Sequence, residues 1–311
     1  MRVVVTGGAG FIGSHVAEAY ASVAEVVVLD DLRTGYRRNL AGVRCEFVEG
    51  SILDPASVAA AVKGAEIVFH FAAMVSVPES VVDPKGCVDL NVHGALNVLE
   101  ASAAAGVRKL VFASSAAVYG DNPEVPKVET MRPEPKSPYA VTKLDGEFYC
   151  DLYRRERGLE TACLRFFNVF GPRQDPKGAY AAAVPIFIAR GLAGAPLEIH
   201  GDGGQTRDFI HVADIVSACR FLAGSPGLTG VYNAGYGGAT TVLELAQAVV
   251  AATGGRSEIR FGPERAGDVR HSRASVEKLV AAGWRPEGDL RRGLEGTVAW
   301  YADRPARTER G

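Results

Sequence analysis

Arg2-Val3-Val4-Val5-Thr6-Gly7-Gly8-Ala9-Gly10-Phe11-Ile12-Gly13-Ser14-His15 is a solid apolar run, broken by glycine and continued by a helical pattern. A strand, a glycine turn and a helix in that order open a βαβ unit, and the turn points free helix amides at an anion. Gly7 permits the tight turn, and Gly10 lets the backbone approach a pyrophosphate with no side chain between. Gly13 lets the helix lie close to the sheet. The G-x-x-G-x-x-G spacing departs from the commoner G-x-G-x-x-G, and a glycine triplet by itself also fits a plain strand–helix turn. Context decides. Asp30 closes the next apolar run, Val26-Val27-Val28-Leu29, 17 residues after Gly13. A carboxylate there accepts both hydroxyls of an adenosine ribose and repels a 2′-phosphate, which selects NAD over NADP. Asp31 beside it fits either a cofactor contact or a solvated turn.

Outward from this unit the same alternation repeats. Strands are predicted at Val3–Thr6, Val26–Asp30, Arg44–Val48, Ile67–Phe71, Leu110–Ser114 and Ala162–Phe167. Most are unbroken by polar residues, the pattern of strands buried on both faces of a parallel sheet. Helical patterns fall at Ser14–Ala21, Pro55–Val62, Leu90–Ala105 and Tyr139–Arg157, the second announced by Asp54 before Pro55. The predicted fold class is α/β, a Rossmann-type doubly wound parallel sheet with a smaller C-terminal α/β substrate-binding lobe. The expected division is 1–168 for dinucleotide binding and 169–311 for the lobe, with about 208–236 returning to the first domain. Val231–Ala234 reads as one more buried strand and Val242–Ala252 as an amphipathic helix, while the charged tail from Arg304 is expected to fray.

Composition excludes several classes of function. With 311 residues, 47% hydrophobic and 23% charged, the chain has the profile of a globular protein that buries about 75% of its unfolded surface. A formal charge of −2 makes no electrostatic case for nucleic acid or an anionic membrane. The five cysteines lie far apart with no C-x-x-C pair, which favours reduced thiols in a cytoplasm over a disulfide framework or a zinc site. No cluster has metal-ligand spacing, so no metal is expected. No apolar run approaches the roughly 20 residues of a membrane helix, and the N-terminal run breaks at Gly7-Gly8 without a signal-peptide cleavage region.

Tyr139-Ala140-Val141-Thr142-Lys143 is the second constellation. Residues four apart share a helix face, so the Lys143 ammonium can sit near the Tyr139 phenol. A tyrosine ionises near pH 10, too high for a base at neutral pH. A neighbouring ammonium, with the positive nicotinamide of NAD⁺, is expected to bring it down. Y-x-x-x-K alone usually marks an exposed helix; it gains meaning beside the glycine turn and Ser114-Ser115, which end the preceding strand.

Over nearly its whole length the chain resembles the extended short-chain dehydrogenase/reductase family, and within it nucleotide-sugar 4-epimerases of the UDP-galactose and UDP-N-acetylglucosamine type. The motifs are TGGAGFIGSH (Thr6–His15), HFAA (His70–Ala73), SSAAVYG (Ser114–Gly120) and YAVTK (Tyr139–Lys143). RFFNVFGPRQDP (Arg165–Pro176), RDFIHVAD (Arg207–Asp214) and RAGDVRHS (Arg265–Ser272) complete the set. The resemblance implies that Ser115, Tyr139 and Lys143 are catalytic. Tyr139 removes the sugar 4-hydroxyl proton while C4 yields hydride to bound NAD⁺. The 4-keto sugar then turns over and is reduced on its other face. It further implies NAD contacts from Gly7, Gly10, Phe11, Ile12 and Gly13, and from Asp30, Asp31, Leu32, Ser51 and Ile52. Phe71, Ala72, Ala73, Asn91 and Phe167 join Tyr139 and Lys143 around the rest of the cofactor. For a UDP-sugar, Arg207 and Arg265 match a diphosphate clamp, Asp268 a ribose acceptor, Asn168 a diphosphate or sugar contact, and Ile199 part of a strand whose backbone reads uracil.

Departures from the family pattern narrow the choice. Ala116 and Ala117 stand where dehydratases and decarboxylases carry an acid after the catalytic serine or threonine. Ser272 stands where galactose-only epimerases tend to carry a bulky aromatic, leaving room for a 2-acetamido group. The Arg173-Gln174-Asp175 loop resembles that of N-acetylhexosamine epimerases. Ser51 and Val75 replace an aspartate and a lysine that usually touch the cofactor, so NAD is expected to be held less tightly. His70 and His211 read as structural. The reading is therefore an NAD-dependent UDP-hexose 4-epimerase, with two alternatives open: an NAD(P)H-dependent reductase of a 4-keto deoxysugar nucleotide, and a non-catalytic dinucleotide-sensing module. A homodimer through Leu90–Ala105 and Tyr139–Arg157 is expected by analogy.

Overall fold

The computed structural model describes residues 1–176, 182–264 and 269–303. Strands β1 (Arg2–Thr6), β2 (Glu25–Asp30), β3 (Glu46–Glu49), β4 (Ile67–His70), β5 (Lys109–Ser115) and β6 (Glu160–Phe166) form one sheet with the later strand Gly230–Ala234. Across the sheet the order is β3-β2-β1-β4-β5-β6, then Gly230–Ala234, and every pairing is parallel. Helices α1 (Phe11–Tyr20), α2 (Pro55–Val62), α3 (Val77–Val82), α4 (Pro84–Val88), α5 (Gly94–Ala104) and α6 (Pro138–Arg157) belong to the first half. Helices α7 (Ala183–Leu192), α8 (Val212–Gly224) and α9 (Val242–Ala252) follow. The chain leaves β1 to one side for β2 and returns on the other for β4. A doubly wound sheet opens a ligand crevice at such a reversal.

The unbroken apolar strands serve two cores at once. Val3, Val5, Val26, Val28 and Phe69 point into one, with α1 and α8 above them. Val4, Val27, Leu29, Val68 and Leu110 point into the other, under α2 and α5. Alternate residues of one strand therefore face opposite helical layers, and neither face tolerates a polar side chain.

The lobe has its own core, in which Phe187, Ile188, Ile199, Leu245, Val249 and Leu294 meet. Its strand Leu197–His200 pairs with Ile259–Gly262, and a short pair, Asn168–Phe170 with Phe209–His211, lies at the junction with the sheet. Buried Asp208 fastens that junction by accepting from the amides of Tyr236 (2.8 Å), Gly237 (3.0 Å) and Ala274 (2.9 Å).

Two sequence-based boundaries shift. The third strand begins at Glu46, not Arg44, because the Arg44 guanidinium turns back to the Ala21 carbonyl (3.1 and 2.9 Å) at the end of α1. The helix expected from Leu90 is interrupted: Asp89–His93 is a π-turn, and α5 starts at Gly94, where a Cβ would lie 2.5 Å from Ile52 Cδ1. π-turns are frequent at functional sites. No helix among the described residues is long and apolar enough to cross a membrane.

Phe69 is fully buried, with its ring centroid 5.4 Å from that of Tyr20. Phe69→Ala is expected to lower the unfolding free energy by about 3–5 kcal/mol in urea titrations. A loss below about 1 kcal/mol would contradict the two-core arrangement.

Candidate active site

The glycine turn behaves as three separate devices. Gly7 has φ +69°, and a Cβ there would lie 2.5 Å from the Ala72 amide nitrogen. A Cβ on Gly13 would lie 2.3 Å from the Gly7 carbonyl oxygen, so α1 can approach the turn only with glycine in that place. Gly10 is the cap residue of α1; no side chain caps the helix and its first turn holds no acid. Its leading amides are left for an anion, with the positive end of the helix dipole behind them.

At the end of β2 the Asp30 carboxylate accepts from Ala9 N (2.9 Å) and Leu32 N (2.8 Å), one bond per oxygen. Burial raises its pKa, and these two hydrogen bonds oppose the rise. Each oxygen keeps a second lone pair for a ligand hydroxyl. Reaching Asp30 puts Leu32 in the left-handed region, φ +59°. The Ala9 carbonyl accepts from Tyr36 N and Asn39 Nδ2, both at 2.9 Å, which fixes the turn from its other side.

The backbone leaving β4 crosses directly over Gly7. Thr6 Oγ1 accepts from Ala72 N (3.4 Å) and lies 2.7 Å from His70 Nδ1. Burial, helped by Lys143, lowers the His70 pKa to about 3, so its ring is neutral. On the same wall of the cavity, Ser115 Oγ accepts from Ala117 N (3.1 Å), which leaves its proton to donate. The Lys143 ammonium donates to Ala113 O (2.8 Å) and stands 5.9 Å from the centre of the Tyr139 ring. Burial lowers the Lys143 pKa to about 8. Burial also raises Tyr139, with only the Ser115 hydroxyl pulling it down. The expected acidification of Tyr139 joins Lys143 to the positive nicotinamide of NAD⁺; in the chain alone burial is the largest influence on both residues and raises the phenol.

A continuous cavity of about 890 Å³ joins these groups to the lobe. Gly7, Gly10, Phe11, Ile12, Gly13, Asp30, Asp31 and Ile52 line one end of it, and Phe71, Ala72, Ala73, Ser115, Tyr139, Lys143 and Phe167 the middle. Asn168, Ile199 and Arg207 line the lobe end. Four expected contacts do not line it. Leu32 gives its amide to Asp30 and its side chain to the core. Ser51 turns its hydroxyl to Leu53 N (3.3 Å), while its neighbours Gly50 and Ile52 face the cavity. Asn91 is spent on Met74, accepting from its amide (2.7 Å) and donating to its carbonyl (2.9 Å). Ser272 binds Thr206 O through its amide (3.1 Å), next to Gln205 and Arg207, and does not itself line the cavity. Arg265 and Asp268 lie outside the described residues.

Several lining residues carried no sequence signal. Arg33, Tyr36 and Asn39 lie after β2 in no recognisable spacing, and Arg190 and Gln205 come from separate lobe elements. Arg190 could have been noticed as a charge on the otherwise apolar α7, where it pairs with Glu198 (3.4 Å).

Residues 3–235 match the model of the NAD dependent epimerase/dehydratase family. The UDP-glucose 4-epimerase of Mycolicibacterium smegmatis is 40% identical over 313 residues, covering 98% of this chain and 99% of that protein. The solved UDP-glucose 4-epimerase of Thermus thermophilus in complex with NAD has a TM-score of 0.89 at 43% identity, covering 97% of this chain and 99% of that one. The UDP-N-acetylglucosamine 4-epimerase from Methanobrevibacter ruminantium, solved in complex with UDP-N-acetylmuramic acid, has a TM-score of 0.93 at 36% identity, covering 97% and 98%.

The neutral histidines around the turn give a pH dependence. His15 Nε2 lies 2.9 Å from Pro172 O, and burial brings its pKa to about 4, near the His70 value of about 3. The unfolded chain protonates these rings first, at about pH 6.5. Stability is therefore full above about pH 6.5 and falls as the pH drops toward 5. Urea midpoints are expected to follow that decline, and His15→Gln, which keeps a donor for Pro172, to flatten part of it. Equal slopes in the two proteins would refute the assignment.

Proposed function

The chain belongs to the NAD dependent epimerase/dehydratase family, and on that premise we propose that it epimerises C4 of a UDP-hexose with NAD as resident cofactor. The observation that carries the reading is the shared cavity: Ser115, Tyr139 and Lys143 face the space that the glycine turn opens at one end and Arg207 closes at the other. The cradle fits NAD. Its bare α1 amides suit a pyrophosphate, the free lone pairs of Asp30 suit a ribose diol, and the Asp30 charge disfavours a 2′-phosphate. Gly7, Gly10, Phe11, Ile12, Gly13, Asp30 and Ile52 would hold the adenosine diphosphate half, with Phe71–Ala73, Lys143 and Phe167 around the other. Bound there, NAD⁺ would supply a reversible hydride acceptor for C4 of the sugar.

Tyr139 takes the proton of the sugar 4-hydroxyl and later gives it back. Ser115, whose oxygen is fixed by Ala117 N, donates to the 4-oxygen as carbonyl character develops there. Lys143 presents a positive charge beside both. Arg207 offers a guanidinium to the diphosphate, and Asn168, held to Asp208 O (3.3 Å), borders the sugar. Beside Ser115, Tyr139 and Lys143, the middle of the cavity carries small or apolar residues, Ala72, Ala73 and Phe167, which favours a keto sugar having room to turn. Ala116 and Ala117 supply no acid for dehydration, which favours epimerisation over elimination.

We also propose a division of labour between residues 1–168, which hold the cofactor, and 169–311, which hold the nucleotide sugar, with about 208–236 returning to the sheet. A second copy of the chain is proposed to cover Leu90–Ala105 and Tyr139–Arg157; on the latter, Val141, Phe148 and Leu152 are exposed, Phe148 at 59%.

Incubating the purified protein with UDP-glucose and, separately, UDP-N-acetylglucosamine, with no added cofactor, is expected to produce the C4 epimer of at least one. Tyr139→Phe should keep NAD and lose about 10²-fold or more in kcat. Turnover that consumes added NADH stoichiometrically would contradict the reading, as would full activity in Tyr139→Phe.

A further inference from the structure

Tyr139 is the second residue of α6, in the turn of a helix whose amides lack intrahelical acceptors. Pro138 has no N–H to satisfy. Ala140 N donates to Ser137 Oγ (3.2 Å) and Val141 N to Ser137 O (3.0 Å). The Tyr139 amide finds its acceptor on another element: Ser80 Oγ of α3, 3.1 Å away and 59 residues earlier. Ser80 is fully buried, and its own proton goes to Val77 O (2.7 Å), which leaves a lone pair for Tyr139.

The carbonyl of the same residue is held as well. Thr142 Oγ1 donates to Tyr139 O (2.9 Å) and accepts from Asn91 Nδ2 (3.0 Å). Asn91 grips both main-chain groups of Met74. Tyr139 is thereby tied through its N–H and its C=O to Met74–Val82, the segment that follows the Phe71–Ala73 wall of the cavity. Helix ends fray, and a misplacement of about 1 Å at a reacting group costs about 10²-fold in rate.

We propose that Ser80 is a positioning residue for the Tyr139 phenol, an external cap that holds the reactive turn of α6, with Thr142 and Asn91 bracing its other side. This rests on the role given to Tyr139 above. Asn91, expected among the cofactor contacts, acts here through Tyr139 and Met74.

The test compares Ser80→Ala, Thr142→Val and Thr142→Ser in the NAD-loaded enzyme. Ser80→Ala and Thr142→Val are expected to lose about tenfold in kcat. KM, NAD content and UDP affinity should stay within about twofold of wild type, and Thr142→Ser, which keeps the hydroxyl, should retain wild-type kcat. Amide hydrogen exchange over residues 137–143 should quicken in Ser80→Ala, a readout independent of the substrate. Unchanged kcat in folded, NAD-loaded Ser80→Ala and Thr142→Val would overturn the proposal. So would a joint fall of kcat, NAD content and UDP affinity, the mark of general loosening, or unaltered exchange. A wild type inactive on both UDP-sugars sinks the epimerase reading instead, and the exchange measurement still decides whether Ser80 holds the turn.

Discussion

Tyr139 and Lys143 share one constraint: neither can become charged without a desolvation cost. They are 9% and 4% exposed, and burial pushes the phenol up and the ammonium down. The two shifts work against a resting phenolate–ammonium pair, so the chain on its own holds Tyr139 protonated. The same low-polarity surroundings amplify any charge brought into the cavity. Proton transfer in this account is gated by what occupies the cavity.

The sheet delivers these groups to one place. Gly7, Asp30, Phe71, Ser115 and Phe167 all lie at or just beyond the carboxyl ends of β1, β2, β4, β5 and β6, where a doubly wound sheet opens its crevice. Helix α6 is keyed to that edge through a face spaced by four residues: Tyr139, Lys143 and Glu147. Glu147 accepts from Ser114 Oγ (2.5 Å) and from Arg165 Nε (2.8 Å) and Nη2 (2.7 Å). Glu147 and Arg165 are buried, so removing either partner would leave a stranded charge. The pair therefore fixes the rotation of α6 against β5 and β6, and with it the direction in which Tyr139 points.

Much of the fold is readable from residue patterns because a two-sided parallel sheet writes its strands as unbroken apolar runs. Val3–Val5 and Val26–Leu29 alternate between two cores without a polar interruption. Glycines and Asp30 are readable because their roles are local: each acts within its own turn or strand end. What stays hidden depends on distant partners. Asn91 has the sequence context of a cofactor contact, but its amide is consumed by Met74 and Thr142, and only tertiary structure shows that. Ser80 carries no motif at all; its acceptor matters because Pro138 and Ser137 leave one amide of α6 unclaimed. Ser51 and Leu32 sit one residue from cavity walls, and turn geometry decides which neighbour faces inward. Y-x-x-x-K spacing correctly puts Tyr139 and Lys143 on one face, yet it says nothing of burial, which raises the tyrosine in the chain without NAD⁺.

The most direct measurement is a spectrophotometric titration of tyrosine ionisation in NAD-free protein and in NAD⁺-loaded protein, each corrected by the Tyr139→Phe variant. The account predicts no Tyr139 ionisation below about pH 10 in the NAD-free protein and a clear downward shift on loading with NAD⁺. A Tyr139 phenol that already ionises near neutral pH without cofactor would contradict it.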